Sequence, residues 1–388
     1  MDLNFQNIIS LLTVFQAFLF AIYLISINPE RRISNYLIAG YLIIFGLDSG
    51  ASYVMYFVYS DFPILGMIIS MTLYLGAPLL FLYIKSSIYN DFKLRKVDSL
   101  HLLPFVIMNL LLIPYYYLVH FNRELAPQNA EIIFEEIIMP VNYVAIHVQL
   151  TSYLIASYVL LHRYNKLYFE NFSNSESYKY KYLMQLIIII FILDIISLVK
   201  NVLMFNMRGI IYEYTLGIVN LMALIMVCWI VIKALQSPEL YKGINSKLRS
   251  VSEILKENKK HKTGEETIVD ESSNKVISKI KTHMEEDAPY KDASLSLDEL
   301  ARQVKISSKE LSVLINHIMG LHFFDFVNEY RINHAKQILS DKDQSDLTVL
   351  EILYEVGFNS KSSFNTEFKK RTGLTPTVYR KTNLLSSS

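Results

Sequence analysis

Cysteine is nearly absent from this 388-residue chain. Cys228 is the only one, which excludes a disulfide framework. A single thiol in an apolar run reads as a small core residue rather than a nucleophile. Charge is also scarce, at 19% of residues, and almost balanced, with 37 basic and 36 acidic side chains giving a net charge of +1. That balance names no acidic partner, and it hides an uneven spread. Residues 1–236 hold 28 of the charged side chains, and residues 237–388 hold 45. One uniform globular fold is therefore excluded. The sequence has no His-Glu-x-x-His, Gly-x-Ser-x-Gly or Walker pattern, and its nine histidines are scattered. No enzyme activity, cofactor or metal is expected on these grounds. No Lys or Arg precedes the first apolar run, which argues against a cleavable signal peptide.

Apolar residues are what the chain has in excess, at 52%. A helix needs roughly 20 mostly apolar residues to cross a bilayer. Seven stretches meet that length, near 7–27, 36–58, 63–84, 99–120, 140–161, 183–205 and 213–235, so residues 1–236 are expected to form a seven-helix transmembrane sensor domain. The first, third and fifth loops carry ten Lys and Arg residues, whereas the N-terminal tail and the even loops carry only Arg123 and Arg208. Basic loops stay in the cytoplasm. This predicts a multi-pass inner-membrane protein with its N-terminus outside and its C-terminal part inside. Asp48 and Asp194 fall near the middle of expected helices two and six, with Lys200 further along helix six. Two readings stand: a polar ligand pocket or protonation switch, or a hydrogen-bonded packing network with Lys200 snorkelling outward.

From Ser237-Pro238 the composition turns polar. Residues 237–274 read as a linker. A weak heptad at Tyr241, Ile244, Leu248, Val251 and Leu255 suits a solvated connector or a short pairing helix of a homodimer, and a charged flexible tether follows over 257–274.

Beyond the linker, Ser296/Glu299, Ser307/Glu310 and Thr348/Glu351 have the spacing of helix-starting capping boxes. They predict helices near 297–304 and 308–318 around a Val304-Lys305-Ile306 turn, the pattern of a helix-turn-helix. Leu311, Leu314, Ile315 and Ile318 make the buried stripe, leaving Lys309, Ser312, Val313 and Asn316 on the outer face. The pattern recurs with a helix at 348–355, a turn in which Gly357 needs φ > 0, and a second recognition helix near 360–371. Phe364 and Phe368 anchor this helix inward; Lys361, Ser362, Asn365, Thr366 and Lys369 look outward. One long helix, 323–340, separates the two units.

The segments Ser296-Leu297-Asp298-Glu299-Leu300-Ala301, Gly357 to Phe364 and Phe368 to Pro376, with Tyr379-Arg380, resemble the AraC/XylS-type transcription regulators. The resemblance spans roughly 275–381, leaving 382–388 as an expected disordered tail. It implies seven helices holding two helix-turn-helix motifs on double-stranded DNA. Carried onto this chain, the base-facing positions are Lys309, Ser312 and Val313, then Lys361, Ser362, Asn365 and Thr366. The chain departs from the family pattern at Val313, where many members have Arg, and at Ile315 and Leu353. Val313 can offer a base only apolar contact. Residues 357–388 hold six basic side chains, among them Lys369, Lys370, Arg371 and Arg380, against Glu367 alone, a charge pattern suited to phosphate contact. The whole chain is thus expected to be all-α: a membrane domain in the lipid bilayer that senses a signal ligand, joined to a DNA-binding regulator domain. The alternative is a transporter or receptor whose C-terminal domain binds a protein partner.

Overall fold

The computed structural model describes residues 5–26, 32–50, 62–121, 129–173, 178–206, 210–236 and 271–386. Among them the structure is mainly helical, and Phe172 and Ser296 form an isolated antiparallel bridge. The chain divides into two compact units: Met1–His162 with Tyr178–Ser246, and Arg163–Ser177 with Lys247–Ser388. The segment 163–177, expected to belong to the apolar domain, instead groups with the C-terminal one.

The first unit contains α1 (Phe5–Ser26), α2 (Arg32–Ser49), α3 (Pro63–Met71), α4 (Leu73–Ile88), α5 (Leu103–Phe121) and α6 (Ala130–Ile133). A π turn at Phe134–Ile138 leads into α7 (Met139–Asn171), followed by α8 (Tyr178–Asn206) and α9 (Ile210–Gln236). Among the described residues six stretches are long and apolar enough to cross a membrane: Gln6–Ser26, Ile64–Ile88, Lys96–Tyr115, Phe134–Asn171, Lys179–Phe205 and Ile211–Lys233. They coincide with six of the seven expected spans. The expected span 36–58 corresponds to α2, whose apolar part Ile33–Ser49 is shorter; residues 51–58 lie outside the described ones. Thr72 interrupts the third span, its amide N–H donating to Ile69 O at 3.0 Å in a tight turn between α3 and α4. Whole faces of these helices stay exposed and apolar, such as Val141, Val148, Ile155 and Val159 on α7 and Ile188, Ile192, Ile195 and Val199 on α8.

The second unit contains α10 (Glu271–Glu286), α11 (Leu297–Val304), α12 (Ser308–Val313) with a π turn at Leu314–Ile318, α13 (Phe323–Ser340), α14 (Val349–Glu355), α15 (Lys361–Thr372) and α16 (Pro376–Ser386). The expected tether 257–274 is thus helical from Glu271, and residues 257–270, like the heptad of 241–255, lie outside the described ones. The chain from 382 to 386 is also helix rather than disordered tail. Thr382 Oγ1 and Asn383 Nδ2 donate back to Val378 O and Tyr379 O at 3.0 and 2.8 Å, tying the last turns together.

Hydroxyl caps start the helices expected at Ser296 and Ser307, and Ser360 adds a cap that the spacing does not mark; each accepts from the amide three residues on. At Thr348 the reciprocal box closes: Glu351 N–H donates to Thr348 Oγ1 at 3.2 Å and Thr348 N–H donates to Glu351 Oε2 at 2.7 Å. The Thr348 hydroxyl also donates to Glu351 Oε2 at 2.7 Å, and it and the Thr348 N–H hold the Glu351 pKa below its ordinary value.

Two cores lie along one helix. The N-terminal half of α13 gives Phe323, Phe326 and Val327 to a core with Leu297, Leu300, Leu311, Leu314 and Ile315. Its C-terminal half gives Ile332, Ala335, Ile338 and Leu339 to a second core with Ile352, Leu353, Phe364 and Phe368. Ile315 and Leu353, the two departures from the family pattern expected to concern packing, are both fully buried.

Arg331, 1% exposed, joins the parts. Its Nε donates to Tyr290 O at 2.7 Å and its Nη2 to Asp292 O at 2.8 Å, in the turn before α11. Its guanidinium lies 5.6 Å from the Phe358 ring centroid, in the turn before α15. Burial draws its pKa down to about 10, so it stays charged at neutral pH.

Gly357 sits at φ +91°, and a Cβ there would come within 2.3 Å of Tyr290 O and 2.8 Å of Lys291 O. Gly373, at φ +77°, has nothing within 4 Å of the same position. Gly357→Ala should therefore destabilise the second unit by about 3 kcal/mol or more and Gly373→Ala by about 1 kcal/mol. Denaturant titration of the purified protein, followed by protease resistance of this unit, would measure both; equal losses would rule out the close approach as the reason for glycine.

Candidate nucleic-acid interface

Each recognition helix is held by its inward residues and offers its remaining face to solvent. In α15 Phe364 and Phe368 are fully buried. Lys361, Ser362, Thr366, Lys369 and Lys370 are exposed and Asn365 is half-buried, so the expected outer face of this helix is present as one surface. Its first turn carries no acid and its last turn carries Lys369, Lys370 and Arg371.

Not all of these cations are equally available. Arg371 donates to Asp325 O and Oδ1 on α13, both at 3.2 Å, and is paired with Glu367. Glu367 is itself 6% exposed. Arg371, expected to touch phosphate, therefore fastens α15 to α13. Lys370 lies 3.5 Å from the same Asp325 oxygen but is 60% exposed. A surface pair of that kind is worth at most about 1 kcal/mol, so phosphate can compete for this ammonium. Arg380 is half-buried, and its Nη2 is enclosed with no hydrogen-bond partner among the described residues. Asp325 went unnoticed in the sequence. An acid in the first turn of α13 reads as a macrodipole partner, and its cross-helix cations lie 45 and 46 positions away.

The face of α12 differs. Lys309 is exposed, next to the exposed Glu310, while Val313 and Asn316 are half-buried. Ser312 is 6% exposed, and this corrects the expectation that it faces bases. The Asn316 side-chain amide donates to Ser312 O at 3.0 Å and to its Oγ at 3.3 Å. Asn316 is thus drawn back onto its own helix rather than standing free. The first helix presents one cation and an apolar Val313; the second presents the polar, basic surface.

The residues singled out in the apolar unit also separate. Asp194 is buried, taking a 2.6 Å hydrogen bond from His147 Nδ1 and a 3.1 Å bond from Thr151 Oγ1. His147 Nε2 in turn lies 2.9 Å from Asn201 Nδ2. Asp194, His147, Thr151 and Asn201 thus form one connected hydrogen-bonded network. Asp48 is exposed on α2. No group of three His, Cys, Asp or Glu side chains able to hold a metal occurs among the described residues.

Two helix-turn-helix units on a shared helix define the C-terminal unit as a DNA-binding domain of the helix-turn-helix class. Residues 300–382 match the family model described as a helix-turn-helix domain. The curated relatives are regulators: the melibiose operon regulatory protein of Escherichia coli (strain K12) is 33% identical over 90 residues, 23% of this chain and 29% of that protein. An HTH-type transcriptional regulator of Staphylococcus aureus (strain COL) is 37% identical over 111 residues, 29% of this chain and 14% of that protein. The chain thus spans less than a third of the length of these relatives. No solved structure matches it. The C-terminal unit carries an AraC-type helix-turn-helix domain.

The two roles on α15 separate in solution. Lys361→Ala and Asn365→Ala should each relax sequence preference by about 1–3 kcal/mol. Lys369→Ala should weaken binding to all duplexes alike and lower the slope of log affinity against log salt by about 1. Arg371→Ala should cost stability and leave that slope unchanged. Gel shifts across a salt series, paired with unfolding curves, distinguish these outcomes; a reduced slope for Arg371→Ala would return it to the phosphate-contacting set.

Proposed function

We propose that this protein is a membrane-embedded bacterial transcription regulator that couples a signal at or within its apolar unit to promoter occupancy. The observation that carries the proposal is the joining, in one chain, of six apolar helices of bilayer-crossing length to an AraC-type domain with an exposed basic recognition helix. The exposed apolar faces of α7 and α8 would be unfavourable in water, and they suit hydrocarbon.

The orientation rests on the basic loops, with the N-terminus outside and the DNA-binding domain in the cytoplasm. One further fact favours it. Residues 163–177, a loop that Arg163 and Lys166 assign to the cytoplasm, belong to the same compact unit as the helix-turn-helix pair. A homodimer paired through residues 240–256 is the assembly that the weak heptad favours. A signal ligand shifts DNA occupancy only if it binds the two states with different affinity, and the exposed Asp48 is the favoured place to look for it.

The full-length protein in detergent, incubated with duplex from upstream of its own gene, should bind on the order of 10³-fold tighter than to random duplex at about 0.15 M salt. The same protein should stay with inner membranes after alkaline extraction. Absence of any sequence preference, or recovery in the soluble fraction, would overturn the respective half of the proposal.

A further inference from the structure

Helix α7 runs unbroken over Met139–Asn171, and from Arg163 onward its residues are part of the DNA-binding unit. There they are built into that unit's interior. The Phe169 ring meets Phe324 of α13 edge-on, with centroids 5.0 Å apart. Phe172 pairs with Ser296, the N-cap of α11, in the antiparallel bridge. Ser173, 1% exposed, donates to Leu295 O from its amide at 3.3 Å and from its hydroxyl at 2.7 Å. The Ser173 carbonyl accepts from Arg331 Nη1 at 2.9 Å and from Asn328 Nδ2 at 3.2 Å, and the Ser173 Oγ accepts from Arg331 Nη2 at 3.0 Å.

A guanidinium has five N–H donors in a fixed fork and no way to shed its charge. With Arg331 enclosed, each acceptor matters, because a buried donor left unanswered costs its full desolvation penalty. Two of its acceptors come from the turn before α11 and two from Ser173, while the Phe358 ring of the turn before α15 lies beside it. Arg331, which touches both the turn before α11 and the turn before α15, is therefore completed by a segment over a hundred positions earlier in the chain. Two recognition helices enter successive major-groove faces only at a set separation, one helical turn of about 34 Å.

We propose that Phe169–Ser173 is a regulatory strap whose seating on Arg331 and Asn328 sets the spacing of the two recognition helices. The strap is the covalent continuation of α7, so a signal that shifts this helix alters which operator spacing the protein accepts. The inference rests on the DNA-reading function proposed above.

The test uses full-length protein in the Cys228→Ser background. Bridge partners in an antiparallel pair have Cα atoms about 4.5–5.5 Å apart, within disulfide range. Phe172→Cys with Ser296→Cys should therefore cross-link on mild oxidation. In a second arm, without the cysteine pair, binding is measured on the operator and on the same operator with one or two base pairs inserted between its halves. Ser173→Gly, which removes the hydroxyl, should reduce the wild-type discrimination between these duplexes about tenfold, and Ser173→Thr should retain it. Failure to cross-link overturns the strap. So does full spacing discrimination in Ser173→Gly while the wild type is selective. A wild type without preference for any duplex would sink the DNA-reading function itself, and the two failures are thereby told apart.

Discussion

A charged guanidinium enclosed in protein must have its donors answered, and in the DNA-binding unit that demand falls on Arg331. Its partners are backbone carbonyls of Tyr290 and Asp292 and both oxygens of Ser173. Carbonyl oxygens have fixed positions, so satisfying the fork fixes the course of the chain through residues 290–292 and at 173. The same demand explains the closeness of the Gly357 turn. The Tyr290 carbonyl that accepts from Arg331 is the atom that leaves no room for a side chain at position 357. Apolar burial alone would give two small cores along α13; the polar contacts around Arg331 fix how these cores meet.

That arrangement gives the two recognition helices unequal parts. On α15 the anchor Arg371 is spent on Asp325 and Glu367, which leaves Lys361 and Lys369 as cations on an open surface. On α12 the Asn316 amide is tied to Ser312, and Val313 offers no donor. Bidentate hydrogen bonds to base edges carry most of direct readout. On the proposed function, discrimination would therefore rest mainly on α15, with α12 contributing shape, an apolar contact and the charge of Lys309. A regulator built this way needs the spacing between its helices to be well defined, because the weaker helix adds specificity only if it lands on a determined base step.

The C-terminal elements were readable because their signals are local. Caps at Ser296, Ser307 and Thr348, the turn glycine at 357 and the Phe364/Phe368 anchors act within a few residues, and the structure has each where the spacing puts it. Ser312 misled for the same reason: its helical position lies at the edge of the outer face, and the Asn316 amide that covers it does not show in a spacing argument. The partners of Arg331 and Asp194, and the Asp325 partner of Arg371, were hidden because they are distant in sequence. Ser173 and Arg331 are separated by 158 positions, Asp194 and His147 by 47. Periodicity carries no information about such pairs. Loop charge gave no sign that residues 163–177 group with the C-terminal unit.

Helix α7 bears on how a signal would travel. His147 and Thr151, which bond Asp194, lie on the same unbroken helix as Phe169 of the strap. A helix with intact i to i−4 bonds transmits rotation or translation along its axis, since bending it costs hydrogen bonds while moving it whole does not. The network around Asp194 is satisfied as it stands, so it resists motion of α7 instead of provoking it. Asp48 is exposed and Lys200 half-buried in the same unit. A ligand that engaged them and drew His147 away from Asp194 would trade one buried hydrogen bond for another, a difference of about 1–3 kcal/mol. That matches the coupling free energies of ordinary allosteric proteins. On the proposed function the packing and sensing readings of these carboxylates would be complementary: the buried Asp194 ties α7 to α8, and the exposed Asp48 would be where a ligand contests that tie.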